Sequence, residues 1–217
     1  MNAMISIEQI KACDHDSVSA LLLEGFRGKL QRGARLDDAQ LQHLLKIFLQ
    51  SEAETGSGQR LVARRNGSVI GSLSMQWPIQ RGDRRQLQWR PIWEGLRGLG
   101  FAKGSGIALR LACLSHRPEQ GECYIADAAV HSKDRGAGVG RFMLERALRE
   151  ASERPGIRYV SLYVAGSNLG AKRLYERLGF RTQKAESSMV MKWLFGEPVW
   201  HYMINECQGF SQGSADI

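Results

Sequence analysis

A mixed α/β domain is what this chain predicts, and three patterns carry the prediction. Residues 124–130 are apolar and strand-like, and the turn Arg135-Gly136-Ala137-Gly138-Val139-Gly140 leads from them into an amphipathic helical stretch. Residues 158–164, rich in β-branched and aromatic side chains, form a second such strand. Asn168 then stands as an N-cap before a helix with apolar positions Ala171, Leu174, Tyr175 and Leu178. The third pattern is Asn66-Gly67 between residues 61–65 and 68–76, the strongest short hairpin signal in the chain.

The remaining elements follow in order. Residues 5–10 suit a first strand, and Met4 opens it as well as an upstream Met1 does. Asp14 or Asp16 can cap a helix through Val18, Leu21, Leu22 and Phe26. Asp37 with Gln40 three residues later forms a capping-box pattern before Leu41, Leu44, Leu45 and Phe48. Residues 139–151 carry an apolar stripe of Met143, Leu144, Ala147, Leu148 and Ala151, which Pro155-Gly156 ends. Arg141 with Glu145 and Arg146 with Glu150 sit at i,i+4 spacing and suit a solvated, salt-bridged face. Gly179 stands where a left-handed helix cap belongs, with Phe180 as its apolar partner. Residues 180–191 and 199–205 serve as the last two strands. A single domain over residues 4–206 results, with a loose polar tail at 207–217.

The glycine turn has a chemical consequence. A strand, a tight turn and a helix N-terminus leave several N–H groups unpaired beside the positive end of the helix dipole. Glycines at 136, 138 and 140 allow close main-chain approach, which suits a phosphate. A P-loop would need Gly-Lys-Ser/Thr at its end, and Gly140 is followed by Arg141-Phe142. A dinucleotide fingerprint would need a third glycine or alanine where Arg141 or Met143 stands. Both readings fail, and the glycines alone would also suit a bare tight connection.

The two constellations together resemble the acetyl-CoA signature of the GNAT N-acetyltransferase superfamily. Arg135-Gly-Ala-Gly-Val-Gly140 is similar to its Arg/Gln-x-x-Gly-x-Gly/Ala pyrophosphate loop. Asn168-Leu-Gly-Ala171-Lys-Arg-Leu-Tyr175-Glu-Arg-Leu-Gly179-Phe180 is similar to its Asn-x-x-Ala-x-x-x-Tyr-x-x-x-Gly-Phe segment. The resemblance implies a central twisted, mostly antiparallel sheet of six to seven strands flanked by helices. It also implies acetyl-CoA as cosubstrate, with no metal, and transfer of acetyl to a primary amine by direct attack in a ternary complex. By that resemblance Ala128 N–H binds the thioester carbonyl and Val130 the pantetheine arm. N–H groups from Arg135 through Gly136, Ala137, Gly138, Val139 and Gly140 to Arg141 hold the pyrophosphate. Asn168 bonds the pantetheine arm, Ala171 packs beside it, and Tyr175 protonates the departing thiolate.

A base for the incoming ammonium is harder to find. Strand alternation places Glu122, Tyr124, Ala126 and Ala128 on one face and Asp127 and Cys123 on the other. Glu122 could act through a water, and an ordinary strand-end carboxylate is the plainer reading. Cys123 reads as a buried thiol rather than a nucleophile.

Between strands three and four the chain spends residues of about 78–121 on an insertion with helical character. Trp77, Trp89 and Trp93 surround it with Arg81, Arg84, Arg85, Arg90 and Arg97, and Ile107, Leu111 and Leu114 follow at helical spacing. It either walls the acceptor pocket or packs on a sheet edge or in a homodimer contact. Net charge is +8, yet the basic residues are scattered and no nucleic-acid-reading motif appears, so a nucleic-acid partner is not indicated. The four cysteines, 13, 113, 123 and 207, form no paired framework, which suits a reducing compartment. With no signal peptide pattern and no spanning apolar run, a cytoplasmic protein is expected. The acceptor, a small molecule or a protein amine, is not written in the sequence. A second class stays open, a catalytically degenerate CoA-binding domain acting as sensor or partner module.

Overall fold

The computed structural model describes residues 4–30, 37–53, 58–78, 94–97 and 116–207. Its strands are β1 (Ile5–Gln9), β2 (Gly58–Arg65), β3 (Ser68–Gln76), β4 (Glu122–Val130), β5 (Tyr159–Ala165), β6 (Arg181–Ser187) and β7 (Val199–Glu206). The helices are α1 (His15–Leu30), α2 (Asp38–Ala53), α3 (Val139–Glu153), α4 (Leu169–Arg177) and α5 (Met189–Phe195). All seven strands form one sheet in the order β1-β2-β3-β4-β5-β7-β6. Only β4 and β5 are parallel neighbours, so the sheet is mixed and mostly antiparallel.

Local chemistry explains most boundaries. Asn66 and Gly67 both take positive φ, +51° and +79°, as a two-residue hairpin turn between β2 and β3 requires. The Asp37 carboxylate accepts from Gln40 N–H at 2.8 Å and the Gln40 side chain accepts from Asp37 N–H at 3.4 Å, closing the expected capping box. Gly179 ends α4 at φ +89°, and Phe180 is buried behind it against the Tyr175 ring. The expected strand over 180–191 ends earlier: β6 stops at Ser187. Ser188 Oγ accepts from Met191 N–H, and that cap starts the short helix α5 in place of further strand.

The two sheet faces bury different partners. Cys123, Ile125, Val160, Leu162 and Met203 face α3, which contributes Val139, Met143, Leu144, Ala147 and Ala151. The opposite face receives α1 and α2, through Val18, Leu21, Leu22 and Leu49 against Val62 and Ala129. Trp77 packs at the edge of the α3 core with the Arg154 guanidinium 3.6 Å from its ring centroid. Of the insertion, a helical turn at 94–97 is described. Leu96 is buried there, and a Cβ on Gly95 would press on Ile47 and Leu44 of α2. Trp89, Trp93, Arg81, Arg84, Arg85, Arg90, Ile107, Leu111, Leu114, Cys113 and the tail from 208 lie outside the described residues.

One expectation about faces is corrected. Ser74 pairs with Asp127 but Met75 pairs with Ile125, so Ala126 is an extra residue, a bulge in β4. The bulge reverses the alternation beyond it. Asp127 therefore joins Glu122 and Tyr124 on the α1/α2 face, bonded to Arg60, while Ala128 turns to the α3 face. Tyr124 and Ala128 do not share a face.

Candidate active site

The site begins where β4 and β5 part. They pair only from Glu122 with Tyr159 to Ile125 with Leu162. Beyond Ile125, β4 keeps β3 on one side and, among the described residues, has no strand on the other. The His131 N–H reaches the Ile70 carbonyl of β3 at 2.9 Å. Strand alternation therefore turns the N–H groups of Ala128 and Val130 away from β3 and into the gap. The Val130 carbonyl accepts from Arg135 Nε at 3.0 Å.

The glycine loop closes one end of this gap. Gly136 and Gly138 take φ of +78° and +81°, a conformation that costs an L side chain about 1–2 kcal/mol. From Gly136 to Arg141 the backbone N–H groups have no hydrogen-bond partner among the described residues. They gather at the N-terminus of α3, where the dipole favours an anion. Two contacts hold the loop: Glu24 of α1 accepts from Ser132 N–H at 2.8 Å, and Arg65 of β2 pairs with Asp134. Gly140 lies beneath α4, since a Cβ there would stand 3.6 Å from Leu174 and 3.7 Å from Val130. The end of β4, the start of α3 and α4 thus converge on one place.

At the start of α4, the Asn168 side chain accepts from Ala171 N–H at 3.2 Å and caps the helix, and among the described residues its amide NH₂ has no partner and can donate to a ligand. Ala171, Leu174 and Tyr175 pack against the α3-side core. Burial pushes the Tyr175 hydroxyl up to about 12, so the phenol keeps its proton at any working pH. Cys123 is buried in the same core, and burial pushes its thiol up to about 12 as well, which leaves it inert.

The α1/α2 face carries a second polar group at the same fork. Glu122 is fully buried, and its carboxylate accepts from His116 Nε2 at 2.9 Å, Tyr202 Oη at 2.9 Å, Glu119 N–H at 2.7 Å and Ser161 Oγ. Burial raises its pKa, but the bonds from His116, Ser161, Glu119 and Tyr202 outweigh burial and hold it at about 2. A carboxylate so satisfied is a poor base. Asp127 is likewise engaged, by Arg60 at 2.7 Å through both oxygens.

Comparison with known proteins agrees with this geometry. The model of the acetyltransferase (GNAT) family matches residues 29–180. The chain belongs to this family. N-alpha-acetyltransferase MAK3 of Arabidopsis thaliana is 29% identical over 119 residues, 55% of this chain and 55% of that protein. The match therefore spans about half the length of this curated relative. Among solved structures, an acetyltransferase aligns at a TM-score of 0.63 with 19% identity, over 94% of this chain and 100% of its own. The ribosomal-protein-S18-alanine N-acetyltransferase of Escherichia coli aligns at 0.57 with 17% identity, over 98% and 100%. These likenesses show the GNAT fold.

Within that GNAT frame, Ala128 and Val130 lie on the β4 wall of the gap and Arg135 to Arg141 at its end, while α4, which Asn168 caps and which carries Tyr175, meets Gly140 through Leu174. Sequence reading missed His116, Ser161, Tyr202 and Arg60. His116 and Glu122 are six residues apart across a turn, and no strand or helix period links them. Among the described residues no cluster of three or more His, Cys, Asp or Glu could hold a metal ion, and no helix is long and apolar enough to cross a membrane.

Proposed function

We propose that the protein is an N-acetyltransferase that moves acetyl from acetyl-CoA to a primary amine by direct attack in a ternary complex. The observation that carries this reading is the fork: β4 splayed from β5, with N–H groups of residues 136–141, unpaired among the described residues, at its mouth. The family generally uses acetyl-CoA, whose pyrophosphate suits that N-terminus and whose extended arm suits an open strand edge. Ala128 N–H is the donor for the thioester oxygen, which gains negative charge as the amine attacks. Val130 and Asn168 hold the pantetheine amides, and Tyr175 donates its O–H toward the departing sulfur. Residues 4–206 act as one catalytic domain.

The curated relative is named for N-alpha acetylation. A peptide α-amine, with a pKa near 8 against about 10.4 for lysine, also presents more neutral nucleophile at pH 7. Peptides with a free N-terminus therefore head the acceptor panel. The test is CoA release from acetyl-CoA with a tetrapeptide bearing a free N-terminal alanine, spermidine, an aminoglycoside and free lysine. Release that depends on one of these amines is expected. Binding of acetyl-CoA without amine-dependent release from a broad panel would instead favour a CoA-binding module.

A further inference from the structure

We infer that His116 is the proton acceptor for the incoming ammonium, with Glu122 as its positioning residue; this rests on the acetyltransferase reading above. The imidazole stands on the α1/α2 face, beside the last paired residues of β4 and β5. Its ring lies 4.4 Å from that of Tyr124, 5.9 Å from Tyr163 and 6.1 Å from Tyr202, centroid to centroid. Tyr163 is the first residue of β5 beyond its pairing with β4. The aromatic group therefore lines the opening of the fork on the face opposite α3. Among the described residues, it is the only place where a buried carboxylate holds an imidazole.

The hydrogen bonding fixes what the imidazole can do. Nε2 faces the Glu122 carboxylate, and the side chain of Glu122 is 0% exposed while that of His116 is 22% exposed. A carboxylate accepts and does not donate here, so Nε2 carries the hydrogen and Nδ1 keeps the lone pair. Among the described residues Nδ1 has no hydrogen-bond partner. Among the described residues the other groups facing the pair are the Glu119 N–H and hydroxyls: Tyr124 on β4, Tyr159, Ser161 and Tyr163 on β5 and Tyr202 on β7. Lys184 and Glu186 of β6 stand behind Tyr202 and Tyr163, paired with each other. Burial raises the Tyr124 and Tyr202 hydroxyls, so neither competes as an anion. The imidazolium that forms stays bonded to the Glu122 carboxylate through Nε2.

The proton balance is simple. One N–H bond of R–NH₃⁺ breaks and its proton passes to Nδ1, giving R–NH₂ and an imidazolium paired with Glu122. The amine lone pair forms the N–C bond at the thioester carbonyl, and the tetrahedral adduct sheds a second N–H proton. The C–S bond breaks with its electron pair on sulfur, which takes up one proton as CoA thiol. The products are the amide, CoA and one net proton, which His116 returns to water.

The experiment compares wild type, His116→Gln, His116→Ala and Glu122→Gln with acetyl-CoA and the alanine-initiated tetrapeptide. His116→Gln and His116→Ala should lower kcat about 100-fold, the lower end for losing a general base, with KM for acetyl-CoA within a few-fold. Free imidazole should restore part of the His116→Ala rate in proportion to its unprotonated fraction. Glu122→Gln should lower kcat less, and shift the acid side of the pH profile that the His116 variants lack. A His116→Ala enzyme at the wild-type rate overturns the inference and leaves the acetyltransferase reading intact. So does a slow His116→Ala enzyme that imidazole does not rescue and whose pH profile keeps the wild-type acid side. A wild type that transfers to no amine removes both readings.

Discussion

Tyr175 illustrates how a side chain's surroundings limit the role it can play. Its ring packs on Phe180 at 5.8 Å, and burial holds its hydroxyl at about 12. An ordinary thiol titrates near 8.5, so complete transfer of the phenol proton to a thiolate is uphill. Tyr175 is suited to donate a strong hydrogen bond while the C–S bond breaks. Tyr175→Phe keeps the ring contact and removes only the O–H. Its kcat should fall about 10- to 100-fold, with acetyl-CoA affinity within a few-fold of wild type. Because the raised phenol stays protonated through the alkaline range, the wild type and the Phe variant should share the same alkaline limb of kcat against pH. An undiminished kcat in the variant would show the hydroxyl to be idle.

Elements decide which glycines matter. Gly136 and Gly138 are required by their positive φ before any ligand arrives, so substitutions there mix backbone strain with lost binding. Gly140 separates the two. Its φ is not in the left-handed region, and a Cβ would meet Leu174 and Val130 only at ordinary contact distance. Gly140→Ala should leave the protein folded and at least as stable, since alanine favours a helix by up to about 1 kcal/mol over glycine. Acetyl-CoA affinity should fall about tenfold or more if the main chain here touches the pyrophosphate. A titration with unchanged affinity would mean the loop is only a connection. The glycine loop, the Asn168 cap, the Asn66-Gly67 hairpin and the Asp37–Gln40 box were all legible in the sequence, because each is written in neighbouring residues. The β4 bulge was not. It arises from pairing with β3 across the sheet, so Asp127 was assigned to the wrong face. The His116–Glu122 pair was hidden for a similar reason: tertiary packing, not a local period, brings it together with Ser161 and Tyr202.

At the scale of the molecule, the fork stays open because its β4 wall is fixed from the other side. Arg60 on β2 is buried and binds Asp127 twice at 2.7 Å, Glu52 of α2 at 2.8 Å and Ser72 of β3 at 3.1 Å. Burial disfavours its charge, but the Asp127 and Glu52 carboxylates outweigh that and raise its pKa. Removing one partner from such a buried group costs about 3–5 kcal/mol, so β2, β3, β4 and α2 move as one unit. The bulge held by Asp127 turns Ala128 toward α3 and sets the strand edge that faces the gap. On the far wall, β5 is held by β7 along its length and is free of β4 beyond Leu162. A preformed cleft should take up an extended ligand without rearranging the sheet.

The central claim, that acetyl-CoA lies in this fork with its pyrophosphate on the glycine loop, is tested most directly by amide hydrogen exchange with and without acetyl-CoA. The free protein should exchange rapidly at residues 136–141, whose N–H groups are unpaired among the described residues. Saturating acetyl-CoA should slow exchange there and at residues 128 and 130, while the exposed edge strand β6 exchanges as before. Binding that leaves 128–141 unchanged and protects some other surface would contradict the account.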